Sequence, residues 1–242
     1  MCNPKNQHHH IVIKQQNILT LGFQFSMPIP KVIYQTFKSD KLPLLNRLSI
    51  KWLKLRNKGY SYEFYDDERI LGFLLAEYGQ EMLDIYNRLN IGAAKADFFR
   101  YAILYKKGGV YLDIDAYVPG KLDNIINAND HAVISREGFP DRFVQWALIY
   151  EAGHPFLKRT LDIVIKNIKE NAFPDSVHWM TGPTPYSKAI LTCIAEQPDI
   201  PYRLFGQDYQ KKIKARLPLS GQLYKGSHHW KKMEKITGVL KS

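Results

Sequence analysis

The stretch Gly108-Gly109-Val110-Tyr111-Leu112-Asp113-Ile114-Asp115 decides how this chain reads. Its β-branched and aromatic residues, following paired glycines, predict a strand. Side chains alternate along a strand, so Val110, Leu112 and Ile114 would face one side and Tyr111, Asp113 and Asp115 the other. The apolar set suits a core. The other set would bring two carboxylates onto one face, roughly 6–7 Å apart at Cα. Two acids that close repel, and half-buried they would be costly unless neutralised. A divalent cation removes that cost. Hard cations such as Mg²⁺ or Mn²⁺ take oxygen ligands, often one or two carboxylates plus substrate phosphates. The stretch therefore predicts a metal–diphosphate site at a strand end.

An Asp-x-Asp triplet is frequent by chance, and its surroundings give it weight. Ala96-Asp97-Phe98-Phe99-Arg100-Tyr101 precedes it on a predicted helix from Ala93 to Tyr105. Asp97, Arg100 and Tyr101 fall at i, i+3 and i+4, hence on one helix face. As an exposed surface pair, Asp97 and Arg100 would add only about 0.2–0.5 kcal/mol. Ala-Asp-x-x-Arg-Tyr followed by Leu-Tyr-x-x-Gly-Gly-Val-Tyr-Leu-Asp-x-Asp, within residues 93–115, resembles the sugar-binding region of glycosyltransferase family 32. That family includes fungal α-mannosyltransferases and bacterial capsule and lipopolysaccharide transferases.

The resemblance implies a GT-A fold: one Rossmann-like, mostly parallel twisted sheet flanked by helices. The alternation of strand-like and helix-like segments supports an α/β class independently. The resemblance also implies transfer of a sugar from a UDP- or GDP-sugar to a saccharide or glycolipid acceptor. Mn²⁺ or Mg²⁺ would be the cofactor and the anomeric configuration would be retained. Asp115 is then expected to ligate the metal directly. Asp113 would reach ribose, or the metal through water. Asp97 and Arg100 would orient the sugar and the diphosphate. Pro28–Phe37 resembles the family's first strand, with Tyr34 and Phe37 standing for His and Trp. That places Tyr34, Gln35 and Thr36 beside the nucleotide. Gln145 and Thr181-Gly182-Pro183 resemble positions on the acceptor side. Of the pair His228 and His229, His228 is the expected further metal ligand.

Composition agrees with a folded domain: 242 residues, 45% hydrophobic and 13% aromatic. Residues 1–27 read as an N-terminal extension and 28–242 as one domain. No apolar run approaches the length of a spanning helix, and the N-terminus lacks a secretory pattern. With only Cys2 and Cys193, a disulfide framework is not expected. These features predict a cytoplasmic protein. Net charge is +11, and from Gly206 to Ser242 nine Lys/Arg stand against Asp208 and Glu234. This basic segment, 206–242, predicts peripheral contact with anionic lipid at the inner membrane face. Nucleic acid is not expected as a partner, because no recognisable motif accompanies the charge. The competing reading is a non-catalytic basic protein binding nucleic acid or anionic membrane.

Further segments frame the site. Leu44, Leu45, Leu48, Trp52 and Leu55 recur at helical spacing and predict a helix covering the sheet, with Trp52 in the core. Tyr60–Tyr65 reads as a strand, and Asp67 as the cap of a helix starting at Glu68. Two short helices broken at Gly79 follow. His131–Ser135, Gln145–Ile149 and Tyr202–Phe205 read as later strands. Phe156–Glu170 and Pro183–Glu196 read as helices, with His154 at the start of the first.

Overall fold

Residues 28–216 and 230–241 are described by the structure, a computed structural model. The chain opens with β1 (Val32–Thr36), α1 (Leu44–Arg56), β2 (Ser61–Tyr65), α2 (Asp67–Tyr78), α3 (Gln80–Asn87), α4 (Gly92–Lys107) and β3 (Gly109–Leu112). It continues with β4 (Ala132–Arg136), β5 (Ala147–Tyr150), α5 (Pro155–Glu170), α6 (Val177–Met180), α7 (Pro183–Glu196), β6 (Arg203–Gln207) and α8 (Trp230–Thr237). The strands form one six-stranded sheet in the order β2-β1-β3-β5-β4-β6. Pairings β1–β2, β1–β3 and β4–β6 are parallel, and only β5 runs against its neighbours. This is the expected mostly parallel α/β sheet with helical flanks.

Each sheet face has its own core. Tyr111, Ala132, Ile134, Leu148 and Tyr150 point to one face, where they pack with Phe98, Phe99, Ile103, Leu157 and Ile190 from the helices. Val110, Leu112, Val133, Ala147 and Ile149 point to the other, against Leu53 of α1, Leu122, Ile125 and Tyr209. The alternation seen in Val110-Tyr111-Leu112 is therefore real, and both faces are covered, as parallel sheets require.

Four expectations change. β3 ends at Leu112, so Asp113, Ile114 and Asp115 lie in a turn closed by Ala116 N–H donating to the Asp113 carbonyl (2.9 Å). Their placement comes from that turn and not from strand alternation. Asp66, not Asp67, caps α2, its carboxylate accepting from the Arg69 N–H at 2.9 Å. Trp52 is 40% exposed, and Leu44, Leu45, Leu48 and Leu55 also face outward. The helix is as predicted, but it buries Asn46 and Leu53 instead. Gln145 and Trp146 precede β5, which starts at Ala147.

Candidate active site

The site begins with a reversal of the chain. α4 ends at Lys107, and the following Gly108 and Gly109 take φ values of +64° and +108°. A Cβ on Gly108 would lie 2.7 Å from the Ala152 nitrogen, and one on Gly109 2.8 Å from the Val32 carbonyl oxygen. Only glycine fits such a backbone at such a close approach. The reversal runs β3 back along α4 and returns Asp113 to Arg100.

Arg100 Nη2 donates to Asp113 Oδ1 at 2.8 Å and lies 3.3 Å from Asp97 Oδ1. Its Nη1 donates to the Gln145 carbonyl (2.8 Å) and its Nε to the Ala96 carbonyl (3.3 Å). The guanidinium stands 4.8 Å from the Tyr111 ring centre, and the Tyr111 hydroxyl donates to Asp113 Oδ1 (3.1 Å). Asp97 accepts from Gln145 Nε2 at 2.9 Å on one oxygen and from Thr181 Oγ1 at 2.9 Å on the other. Gln145 Nε2 also donates to the Tyr101 hydroxyl at 2.5 Å. Asp97 and Arg100 are buried, while 28% of the Asp113 side chain stays exposed. Asp113 is thus the edge of this network that a ligand can reach.

The turn carrying the acids is braced from both sides. Gln35 Nε2 donates to the Asp113 carbonyl and Asn46 Nδ2 to the Ile114 carbonyl, each at 3.0 Å. Gln35 also accepts from the Tyr62 hydroxyl (3.0 Å), and Thr36 Oγ1 donates to the Tyr65 carbonyl (2.7 Å). Gln35 and Thr36 hold backbone near the site.

Electrostatics is dominated by burial. Burial raises the Asp97 carboxyl, against the pull of Arg100, Thr181 and Gln145. It pushes Asp113 up to about 7; Arg100 opposes this, while Asp115 and Asp97 push further upward. Asp97 and Asp113 thus share one guanidinium, and Asp115 adds further negative charge beside Asp113. Hard oxygen donors with excess negative charge are the donor chemistry a divalent cation fits. Among the described residues no group of three His, Cys, Asp or Glu is arranged to hold a metal. Asp113 and Asp115 would hold it only in part, with substrate phosphates and water completing the shell.

The structure brings together Asp97, Arg100, Asp113 and Asp115, and joins Gln145 and Thr181 to them. Tyr34 does not join them. Its ring turns to the helical face, 6.2 Å from that of Tyr65. There it lines a cleft of about 470 Å³ with Glu63, Arg69 and Lys107, which holds none of the four charged residues. Tyr34 shares the sheet face of its neighbour Tyr111, opposite Gln35, but its ring packs toward Tyr65 and not toward Arg100. His228 and His229 lie outside the described residues. Asn46 was missed by sequence reasoning; its one signal is an amide on the side of α1 opposite the leucines.

A family model described as "glycosyltransferase sugar-binding region containing DXD motif" matches residues 43–132. The initiation-specific α-1,6-mannosyltransferase of Schizosaccharomyces pombe is 27% identical over 221 residues, covering 77% of this chain and 54% of that protein. Inositol phosphoceramide mannosyltransferase 3 of the same yeast is 30% identical over 169 residues, covering 65% of this chain and 44% of the relative. The chain thus spans about half the length of these curated relatives. The solved PaToxG glycosyltransferase shares the fold, with a TM-score of 0.55, 20% identity and 70% of each chain covered. The matched region includes α4, the glycine reversal and the acidic turn, so residues 43–132 carry the DXD-motif sugar-binding region found in glycosyltransferases.

Proposed function

We propose that the chain is a glycosyltransferase that moves a sugar, a mannosyl unit by analogy with its named relatives, from a UDP- or GDP-sugar to a saccharide or glycolipid hydroxyl. One observation carries this reading: Asp97, Arg100 and Asp113 meet within hydrogen-bonding reach beside Asp115, at the carboxyl end of a parallel strand. Ligands of open α/β sheets bind at such strand ends.

In the reaction the C1–O bond to the diphosphate breaks, the acceptor oxygen bonds to C1, and the acceptor proton leaves with the diphosphate. The family expectation is retention. Asp97, locked by Gln145 and Thr181, orients the sugar by holding Arg100 in place. Arg100 supplies positive charge where negative charge grows on the leaving group. Asp113, the partly exposed edge of the network, reaches toward ribose or a metal-bound water. Asp115 and Asp113, with His228 as a further ligand, would hold Mn²⁺ or Mg²⁺, which supplies charge to offset the departing diphosphate. Gln35 and Thr36 keep the nucleotide side in place through backbone carbonyls. The basic 206–242 segment would serve as peripheral contact with anionic lipid on the cytoplasmic side. A non-catalytic polyanion binder is not favoured, because it leaves the sugar-binding family match unused.

The test is Asp115→Asn. Metal-stimulated turnover of UDP- or GDP-sugars should fall at least about a hundredfold, the scale of losing one transition-state charge contact, while the thermal midpoint is kept. Turnover at the wild-type level would remove Asp115 from its assigned role.

A further inference from the structure

Leu44, Leu45, Leu48, Trp52 and Leu55 of α1 are 66%, 41%, 53%, 40% and 56% exposed. At about 100° per residue these five fall in an arc about 100° wide. Asn46 and Leu53, which α1 buries, lie on the opposite side. The helix therefore docks on the domain by one side and turns its apolar stripe outward. Single exposed leucines need no explanation, but a continuous stripe containing Trp marks an interaction surface.

Its borders are cationic. Arg47, Lys51 and Lys54 run along one edge by the same angular reckoning. Arg56 lies on the other, its guanidinium 5.4 Å from the Trp52 ring centre. Between Asp40 and Glu63 the sequence holds six Lys/Arg and no acid. Apolar residues with Trp, bordered by Lys and Arg, match a helix lying in the headgroup zone of an anionic bilayer. A second copy seated on the stripe would set like-charged borders against each other.

We propose that α1 docks the protein onto an anionic membrane, with the leucines and Trp52 in the acyl–headgroup boundary and the cations on lipid phosphates. The inner side of the same helix carries Asn46, which holds the Ile114 carbonyl between Asp113 and Asp115. The membrane therefore lies next to the acidic turn, where a membrane-embedded glycolipid presents its headgroup. This surface is additional to the 206–242 segment and stands whether or not the acidic site transfers a sugar.

The experiment is co-sedimentation of the full chain with phosphatidylcholine–phosphatidylserine vesicles, about three to one, and with phosphatidylcholine alone. The wild type should bind the anionic vesicles and bind the neutral ones less. The combined Leu48→Gln, Trp52→Gln and Leu55→Gln variant, folded by circular dichroism, should lose at least about tenfold in partitioning. Lys51→Glu with Lys54→Glu should lose binding most at low salt. Three results would overturn the proposal. One is a folded triple variant that binds like the wild type. Another is a wild type that ignores anionic vesicles. The third is a triple variant that changes only self-association in size-exclusion chromatography. Because no sugar donor is present, none of these outcomes bears on the transfer reading.

Discussion

Arg100 sits between Asp97 and Asp113, and its worth lies in what its removal would leave behind. Arg100→Met would strand two carboxylates in a largely buried place. Breaking a buried ion pair on one side costs several kcal/mol, so urea unfolding of this variant should show a loss of about 3 kcal/mol. Arg100→Lys restores a point charge without the planar fork, and should recover only part of that loss. An unfolding free energy equal to the wild type in both variants would show that the guanidinium is dispensable for the network. The spacing of Asp97, Arg100 and Tyr101 already implied a shared face, because helical neighbours are fixed by the chain itself. The partners of Asp97 were not legible in this way. Gln145 and Thr181 lie 48 and 84 residues further on. The sequence suggested both as residues near an acceptor, not as the donors that lock Asp97.

At the scale of elements, the reversal from α4 to β3 depends on two glycines. Gly109→Ala would place a methyl group 2.8 Å from the Val32 carbonyl oxygen at a φ of +108°. Strain of this kind costs about 1–3 kcal/mol, and the urea midpoint should fall accordingly. An unshifted midpoint would mean that β1 yields to the added methyl group without loss. The glycine pair and the acids after it were readable in order, but β3 proved shorter than its apolar run. Once β5 has paired with Gly109–Leu112, the chain turns, and Asp113 keeps only its N–H on the Trp146 carbonyl. α1 teaches the complementary point. Its period was evident, and its amphipathicity was real, yet the side it packs is the one with Asn46 and Leu53.

For the whole molecule, the pH dependence of stability combines opposite slopes. His154 is fully buried, its Nδ1 accepting from the Phe156 N–H and its Nε2 facing the Pro201 carbonyl. Burial lowers its pKa from 6.5 to about 4, partly offset by the Pro201 hydrogen bond. The unfolded chain therefore binds the proton more readily, and this residue removes stability as pH falls from about 6.5 toward 4. At about 1.4 kcal/mol for each tenfold change in proton affinity, the full penalty is about 3 kcal/mol. Asp113 acts in reverse. Its carboxyl, raised to about 7, stays protonated in the fold where the unfolded chain has released the proton, so stability falls as pH rises from about 4 to 7. The wild-type curve alone mixes the two, and a difference between variants separates them. His154→Asn should gain thermal midpoint relative to the wild type as pH drops from 7 to 4.5. A gap between the two proteins that does not change with pH would show that His154 is not held neutral.

The amino-acid sequence by itself determined what depends on near neighbours: strand and helix periods, the glycine reversal, the helix face shared by Asp97 and Arg100, and the acidic pair that follows. These are properties of local geometry, where spacing along the chain sets spacing in space. Only the tertiary structure decided which side of α1 meets the domain, which way Tyr34 turns, and which distant residues close on Asp97. A hydrophobic period shows that a helix has two unlike faces, but not what each will meet. That is settled by contacts between segments far apart in the chain, whose burial and hydrogen bonding outweigh local pattern.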